Sequence, residues 1–475
     1  MNWNYIIHIG IISFALLFAA LLRSRIRFFQ RFLMPAPIIA GLILLIFYNF
    51  ITPYWGLSNA FLGEMVYHLL NLSFIAMLLR VTPSEKNRVK GKRMLAENVT
   101  AVMGQYGLQC TLGLSVTALL IATVKPDLFP AIGYSLPMGF ELGPGQAYSI
   151  GTTWEKMGFV GGSSVGLSLA AIGFLLGSFG GVILINQGLK RGWIGKEYRD
   201  KINSKSVRTG FFSRDQKERP IGSYLSTDGE SLDTLSYHIA LVMLTYLISW
   251  GFLTGLSALL SLIGPIGTEL ADSLWGINFI FSALCAIAVK LTMRFFKVDT
   301  TIDNATCNRI SGLSVDLTVA SSLGAISIVA VQGYWLPILA LVLAGVLATV
   351  FILPWYCSRL YDDHQFYRML LIYGTATGTL PTGLALLRVV DPDFETPVAT
   401  DYLYSVGIVF MLAIPIILTI NLPAFSVTKG KPSLFWLALG ISAIYLLVSF
   451  VSYVFLAKKK AFANAKKLFY MDNRE

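Results

Sequence analysis

Gly139-Phe-Glu-Leu-Gly-Pro-Gly-Gln-Ala-Tyr-Ser-Ile-Gly151 is the stretch whose reading decides the fold. It holds four glycines, a proline, a glutamate and a glutamine inside a long apolar region. Glycine loosens a helix, and proline removes a donor and crowds the preceding turn, so backbone groups are freed. In hydrocarbon those groups need partners from protein or from a water-filled cavity. Glu141 adds an ionisable group that costs several kcal/mol at bilayer depth unless it is paired, protonated or wet. Protein or a ligand, not lipid, should therefore surround the stretch.

Composition supports a membrane setting for the whole chain. Of 475 residues, 55% are hydrophobic and only 13% charged, and the mean hydropathy is +0.66. Soluble domains carry about a quarter charged residues. Apolar runs of about 20 residues recur from end to end, which defines an all-α polytopic membrane protein. The net charge of +11 sits in short loops and implies no nucleic acid. Cys110, Cys285, Cys307 and Cys357 have neither pairing nor metal spacing. The N-terminal apolar run lacks a basic leader and a small-residue cleavage site, so it reads as a retained first helix.

The loops set the orientation. Arg23, Arg25, Arg27 and Arg31 follow the helix Tyr5–Leu22 with no acid among them, which puts that loop in the cytoplasm and the N-terminus outside. Helices then run over Leu33–Phe50, Phe61–Leu79 and Met94–Val124, with a second basic loop, Arg80 to Arg93, between the last two. The opening stretch belongs to Asp127–Lys156, and a glycine- and serine-rich helix, Gly162–Gly188, follows. The mildly basic linker 189–234 reads as cytoplasmic only if 127–156 enters from outside and returns, as a re-entrant hairpin.

The second half repeats the pattern. Helices fall at Leu235–Ile263, Leu270–Phe295, Ile310–Gln332 and Trp335–Cys357, followed by a second broken stretch, Tyr373-Gly-Thr-Ala-Thr-Gly-Thr-Leu-Pro-Thr-Gly383, in a hairpin spanning 366–398. Each stretch has a Gly-x-x-x-Gly step, Gly139/Gly143 and Gly374/Gly378, with Pro144 or Pro381 soon after. Each follows four apolar helices. Five crossings per half is odd, so the reading is two inverted-topology repeats, 1–188 and 235–425. An additional helix and a basic cytoplasmic tail occupy 426–475. Broken segments at matching positions of inverted repeats mark the midplane site of a secondary transporter. The alternative for each stretch is close helix packing through glycine. Asp391, Asp393, Glu395 and Asp401 fall in a segment this topology puts inside, and Lys429 and Lys431 in one it puts outside, both against the charge trend.

The candidate site residues follow from chemistry. Glu141 reads as a proton or cation site, or as a wet carboxylate near a hairpin mouth. Gly143, Gly145 and Gln146 form the first tip, where backbone N–H groups suit a carboxylate and carbonyls suit Na⁺. Thr375, Thr377, Thr379 and Thr382 give the second tip its hydroxyls, unless these bond back to helical carbonyls. Asp316, with Ser314 and Thr318, is a hard oxygen ligand in an apolar helix, or an ordinary buried acid. His68 and Asn71 lie one turn apart, and Arg368 and Arg388 flank the second hairpin as substrate partners or interface anchors. No nucleotide-binding, zinc-protease or nucleophile-elbow motif is present, and an enzyme is not expected.

The residues resemble one known family, the bacterial sodium/glutamate symporters. Met34-Pro-Ala-Pro-Ile-Ile-Ala-Gly41 resembles the start of the family's second helix. Gly143-Pro-Gly-Gln-Ala with Trp154-Glu-Lys-Met-Gly-Phe is similar to its first hairpin, and Gly378-Thr-Leu-Pro-Thr-Gly-Leu-Ala385 to its second. Gly143, Gly145, Gly378, Pro381 and Thr382 are the matching positions. The family's Gly-Gly-His-Gly-Thr and His-Cys-Gly elements are replaced here by Glu141–Gln146 and Tyr373–Thr377. The resemblance implies a homodimer in the cell (inner) membrane and uptake of glutamate or a related small anionic acid. Na⁺ would be the coupling ion, at Asp316 and the tip carbonyls, with H⁺ as the alternative. No cofactor is implied. A proton-coupled organic-acid carrier and a non-transporting membrane sensor stay open beside this reading.

The orientation has a direct test. In a chain with its four cysteines replaced, Ser231→Cys should react with a membrane-impermeant maleimide only from the cytoplasmic side and Ser58→Cys only from outside. The opposite pattern would invert the topology.

Overall fold

The computed structural model describes residues 3–32, 34–80, 91–194, 209–211, 222–391 and 396–470, excepting the side chains at 265, 266, 269, 270, 273, 381, 403 and 410. Among these residues every regular element is helical. Among the described residues nine helices are long and apolar enough to cross a membrane, so the chain is an all-α polytopic membrane protein.

The main helices are α1 (Asn4–Arg25), α2 (Ala36–Phe50), α3 (Ala60–Leu79) and α4 (Lys92–Thr123). Next comes the irregular arm Pro130–Leu142, built from a 3₁₀ turn, a single helical turn and a π turn, and then α5 (Pro144–Lys156) and α6 (Gly162–Arg191). The second half holds α7 (Thr234–Ser261), α8 (Pro265–Gly276), α9 (Asn278–Phe295) and α10 (Asn304–Gly324). It continues with α11 (Trp335–Leu360), α12 (Gln365–Val390), α13 (Val398–Leu418) and α14 (Ser433–Ala457).

Two expected helices are each broken in two. Leu270–Phe295 is α8 and α9, separated at Ile277, and Ile310–Gln332 ends at Gly324 before a short helix, Ile328–Gln332. Side-chain capping accounts for the second break. Ser327 accepts from the Ala330 N–H, while Asn49 bonds both the Ile326 carbonyl and the Ile328 N–H. These bonds satisfy the backbone groups that an interrupted helix exposes.

The helices form two groups. In the first, α10 packs on α2 and α3, α9 on α3, α1 on α2 and α7 on α9. The α2–α10 contact is tight because Gly41 lacks a side chain: a Cβ there would lie 2.8 Å from Leu323 Cβ and 3.1 Å from the Ala320 carbonyl. A buried polar chain ties α3, α7 and α9 together. Ser282 donates to Asn71 Oδ1 (2.8 Å) and meets the Ser249 hydroxyl (3.1 Å), and Asn278 donates to Tyr67 Oη (3.1 Å). In the second group, α4 is the post on which α11, α13, α14 and the irregular arm pack, and α6 carries α5 and α12. The groups meet where α5 crosses α3, with Gly145 against Leu70 and Gly63 against Tyr148.

The two ends of the bundle differ in charge. At one end Arg93 pairs with Glu97 and Asp362, Lys460 pairs with Asp362, Arg80 donates to Asn308, and Lys290 donates to the Arg80 carbonyl. The C-terminal tail is clamped at this end. Arg359, fully buried, donates to the carbonyls of Ala463, Asn464 and Lys467, and Phe469 sits between Trp193 and Phe366. The opposite end holds Phe129, Phe159 and Tyr334 in ring contact, with Lys125 donating to the Gly333 carbonyl. Basic residues at one end match the loop asymmetry of the sequence.

Because the α2–α10 approach has no room for a side chain, Gly41→Val should lower stability by about 1–3 kcal/mol. Thermal unfolding of the purified protein reads this, with Gly10→Val, whose Cβ has no neighbour within 4 Å, as the control.

Candidate functional site

Both glycine-rich stretches are broken helices that double back. In the first, Phe129 and Phe159, just outside its two ends, stack with ring centroids 4.9 Å apart. Some 30 residues of helical chain cannot begin and end together without reversing. The reversal is at Gly143, with φ +100° and ψ 178°, a conformation that excludes a side chain. In the second, Gly374 and Gly383 face each other, a Cβ on Gly374 falling 2.5 Å from Gly383 Cα. The break there is at Gly378 and Thr379 (φ +71°, ψ 170°). Thr379 holds a conformation that costs a residue with a side chain about 1–3 kcal/mol.

The two breaks touch. A Cβ on Gly143 would lie 2.3 Å from Thr379 Cγ2. Here the arms after both breaks begin, α5 at Pro144 and the second half of α12 at Leu380. The first N–H groups of each have no intrahelical partner, so two positive helix ends converge. The preceding arms end at the same place and leave carbonyls in the same way. Helix α6 forms the floor: Gly173 faces Phe140 and the Thr377 carbonyl, and Gly177 faces Thr377 and Thr382. Each contact is close enough that a methyl group would collide.

Glu141 lies two residues before the first break and is 8% exposed. Its Oε2 is buried without a hydrogen-bond partner, and among the described residues no Lys, Arg or His pairs with it. The groups within electrostatic range are neutral: Tyr106 and Cys110 of α4 and Tyr402 of α13. Tyr402 lies beside Thr375 of the second broken helix. Gln109 donates to the Ala376 carbonyl (2.9 Å), leaving its own Oε1 buried and unpartnered. A carboxyl group in such a place is neutralised by a proton or by a bound cation.

The sequence-derived candidates divide. Gly143, Gly378 and Thr379 form the breaks, with Glu141, Gln146, Thr375, Thr377 and Thr382 buried around them. Gly145 instead packs against Leu70 of the other helix group. Three of the four threonine hydroxyls bond back to helical carbonyls: Thr375 to Ile372, Thr377 to Tyr373 and Thr382 to Gly378. Their protons are spent, so toward a ligand they offer oxygen lone pairs. The side chain of Pro381 lies outside the described residues. Asp316 stands apart, on an exposed stripe of α10 with Arg309, Gly312 and Leu313, and no hydrogen bond or ion pair joins it to either break.

Arg368 is an anchor. It is 2% exposed and bonds Asp363 and Asp401 at the base of α12, so its charge is already met. His68 is exposed and bonds Tyr246. Asp393 and Glu395 lie outside the described residues. The sequence reading missed Tyr106, Gln109, Cys110 and Tyr402. The four-residue spacing of Gln105 and Gln109 was the available signal, since it sets two amides on one face of α4. Among the described residues no group of three or more His, Cys, Asp or Glu could hold a metal ion, so a cation here would rely on Glu141 and backbone carbonyls.

No family model, curated protein or solved structure matches the chain.

The backbone at the two breaks gives opposite mutational signs. Gly143→Ala should lower the unfolding free energy by about 1–3 kcal/mol through its forced φ and its collision with Thr379. Thr379→Gly should raise it by up to about 1 kcal/mol by relieving the same kind of strain. Thermal unfolding checks both.

Proposed function

We propose that the chain is a cation-coupled secondary transporter for a small anionic solute, an amino or carboxylic acid such as glutamate. The observation that carries this reading is the contact of two helix breaks, Gly143 against Thr379, beside the unpaired carboxyl of Glu141. Converging N–H groups suit the solute carboxylate, while carbonyls and Glu141 suit a cation. Each ligand then completes the other's site. A solute carboxylate beside Glu141 is left uncompensated until a cation binds, and this couples the two fluxes.

In this reading the broken helices are re-entrant hairpins, the first entering from outside and the second from the cytoplasm. The two halves are inverted repeats. The packing pattern supports this: α2 on α10 is matched by α9 on α3, and α1 on α2 by α7 on α9. The first helix group would be the scaffold. The second, carrying both hairpins, would move against it, with α5 sliding along α3 in an elevator motion. Na⁺ as the ion, a homodimer and a cell-membrane location with the N-terminus outside follow from the resemblance to sodium/glutamate symporters. The exposed Asp316 would line a water-filled entry path. Proton coupling is the second reading, favoured by the absence of any cationic partner for Glu141.

Reconstitution into liposomes tests the proposal. Labelled glutamate should accumulate under an inward Na⁺ gradient, and Glu141→Gln should reduce that uptake at least about tenfold. Uptake driven by a pH gradient alone would select the proton reading. No flux under either gradient across a panel of amino and carboxylic acids would sink transport altogether.

A further inference from the structure

Beyond α14 the chain does not run out into water. It folds back as a strap across the basic end of the bundle, its backbone held by side chains beneath it. Tyr453 Oη donates to the Ala461 carbonyl and Trp355 Nε1 to the Ala465 carbonyl. The buried guanidinium of Arg359 donates to the carbonyls of Ala463, Asn464 and Lys467 at 2.9, 2.8 and 2.9 Å. Phe469 closes the strap between Trp193, just past α6, and Phe366, at the start of α12. Ordering a chain end costs conformational entropy that a loose basic tail would not lose. The clamp fixes which side chains face inward and which face out.

The outward set is basic and uncompensated. Lys458, Lys459, Lys466 and Lys467 are exposed, and among the described residues no ion pair joins any of them to an acid. The acids at this end are already engaged: Asp362 by Arg93 and Lys460, Asp363 and Asp401 by Arg368. The position of the strap is set by Phe462, which is 60% exposed. Its ring centroid lies 6.4 Å from Trp355 and 6.5 Å from Phe450 of α14. Phe450, Val451 and Phe455 are exposed on that apolar span, so this face of α14 meets lipid. The strap therefore lies at the rim where α14 leaves the hydrocarbon. An aromatic ring at the boundary with lysines just beyond it is the chemistry of a membrane-surface segment.

We propose that this strap binds the headgroups of anionic phospholipids in the adjoining leaflet. The four lysines meet the net negative charge, and Phe462 sits among the upper acyl carbons. Charge complementarity selects the class: a zwitterionic headgroup brings no net charge to balance the lysines. An acidic soluble partner would use the lysines but leave Phe462 unused at the lipid rim. The inference is independent of the transport reading and of which side of the membrane this end faces. Because Phe469 joins the ends of α6 and α12, a bound lipid would also hold those two helix ends together.

Photolabelling of the full chain in phosphatidylcholine nanodiscs tests this with two probes, phosphatidylglycerol and phosphatidylcholine carrying the same diazirine acyl chain. The reference is the peptide 256–263 of α7, whose end is exposed and lies in a stretch, 251–276, without lysine or arginine. At about 0.01 M salt the ratio of anionic to zwitterionic label on peptides 450–468 should exceed that on the reference at least about fivefold, the factor one lysine contributes at a charged surface. The excess should vanish at about 1 M salt, where charges are screened within a few ångströms. Lys458→Ser, Lys459→Ser, Lys466→Ser and Lys467→Ser together should also remove it, while the zwitterionic probe still labels Phe462. Equal ratios on the two peptides of the unsubstituted protein would overturn the proposal, as an acidic protein partner would predict. An excess that persists at high salt would overturn it too. Both readings are made on the native sequence, so they hold even if the substituted chain fails to fold.

Discussion

Interrupting a helix inside hydrocarbon is expensive, because water is absent and every freed N–H and C=O must find a partner. This chain interrupts two helices and sets the interruptions against each other. Gly143 fits beside Thr379 because it has no side chain, and the glycines of α6 bring that helix close enough to seal the floor. Much of the second helix group follows from this contact. Helix α4 supplies Gln109 to the Ala376 carbonyl, α13 sets Tyr402 beside Thr375, and the ion pairs of buried Arg368 with Asp363 and Asp401 hold the base of α12 in place.

The two helix groups use different chemistry for different mechanical roles. The first is tied by hydrogen bonds among neutral side chains, Tyr67, Asn71, Ser249, Asn278 and Ser282, which fix helix register without a charge penalty. The second carries the ion pairs of Arg93, Asp362 and Lys460 at one end, partly in water, and keeps the unpaired carboxyl of Glu141 in its interior. Between the groups Gly63 meets Tyr148 and Gly145 meets Leu70, and Ser149 donates to the Gly276 carbonyl across the same seam.

Most of the architecture was legible in the residues. Apolar runs gave the helices, and glycine with proline gave both breaks, because each signal is local and rests on hydrocarbon's intolerance of bare backbone. The boundaries at Ile277 and Gly324 were not legible. They depend on bonds from residues distant in the chain, Asn49 above all. The threonines of the second tip looked like a ligand cage by composition, yet three of their protons are committed to the helix. Asp316 looked like a partner of the tips, and it stands on an exposed stripe instead.

The sequence by itself determined that Gly139–Gly151 and Tyr373–Gly383 could not be ordinary membrane helices, since composition alone frees the backbone there. Only the tertiary structure decided that the two breaks face each other, and that Glu141 meets phenols and a thiol and no cation. The physical reason is separation along the chain. Residues 143 and 379 are joined by packing across α6, and Glu141 with Tyr106 and Tyr402 by packing around α4. No periodicity within any one segment carries that information.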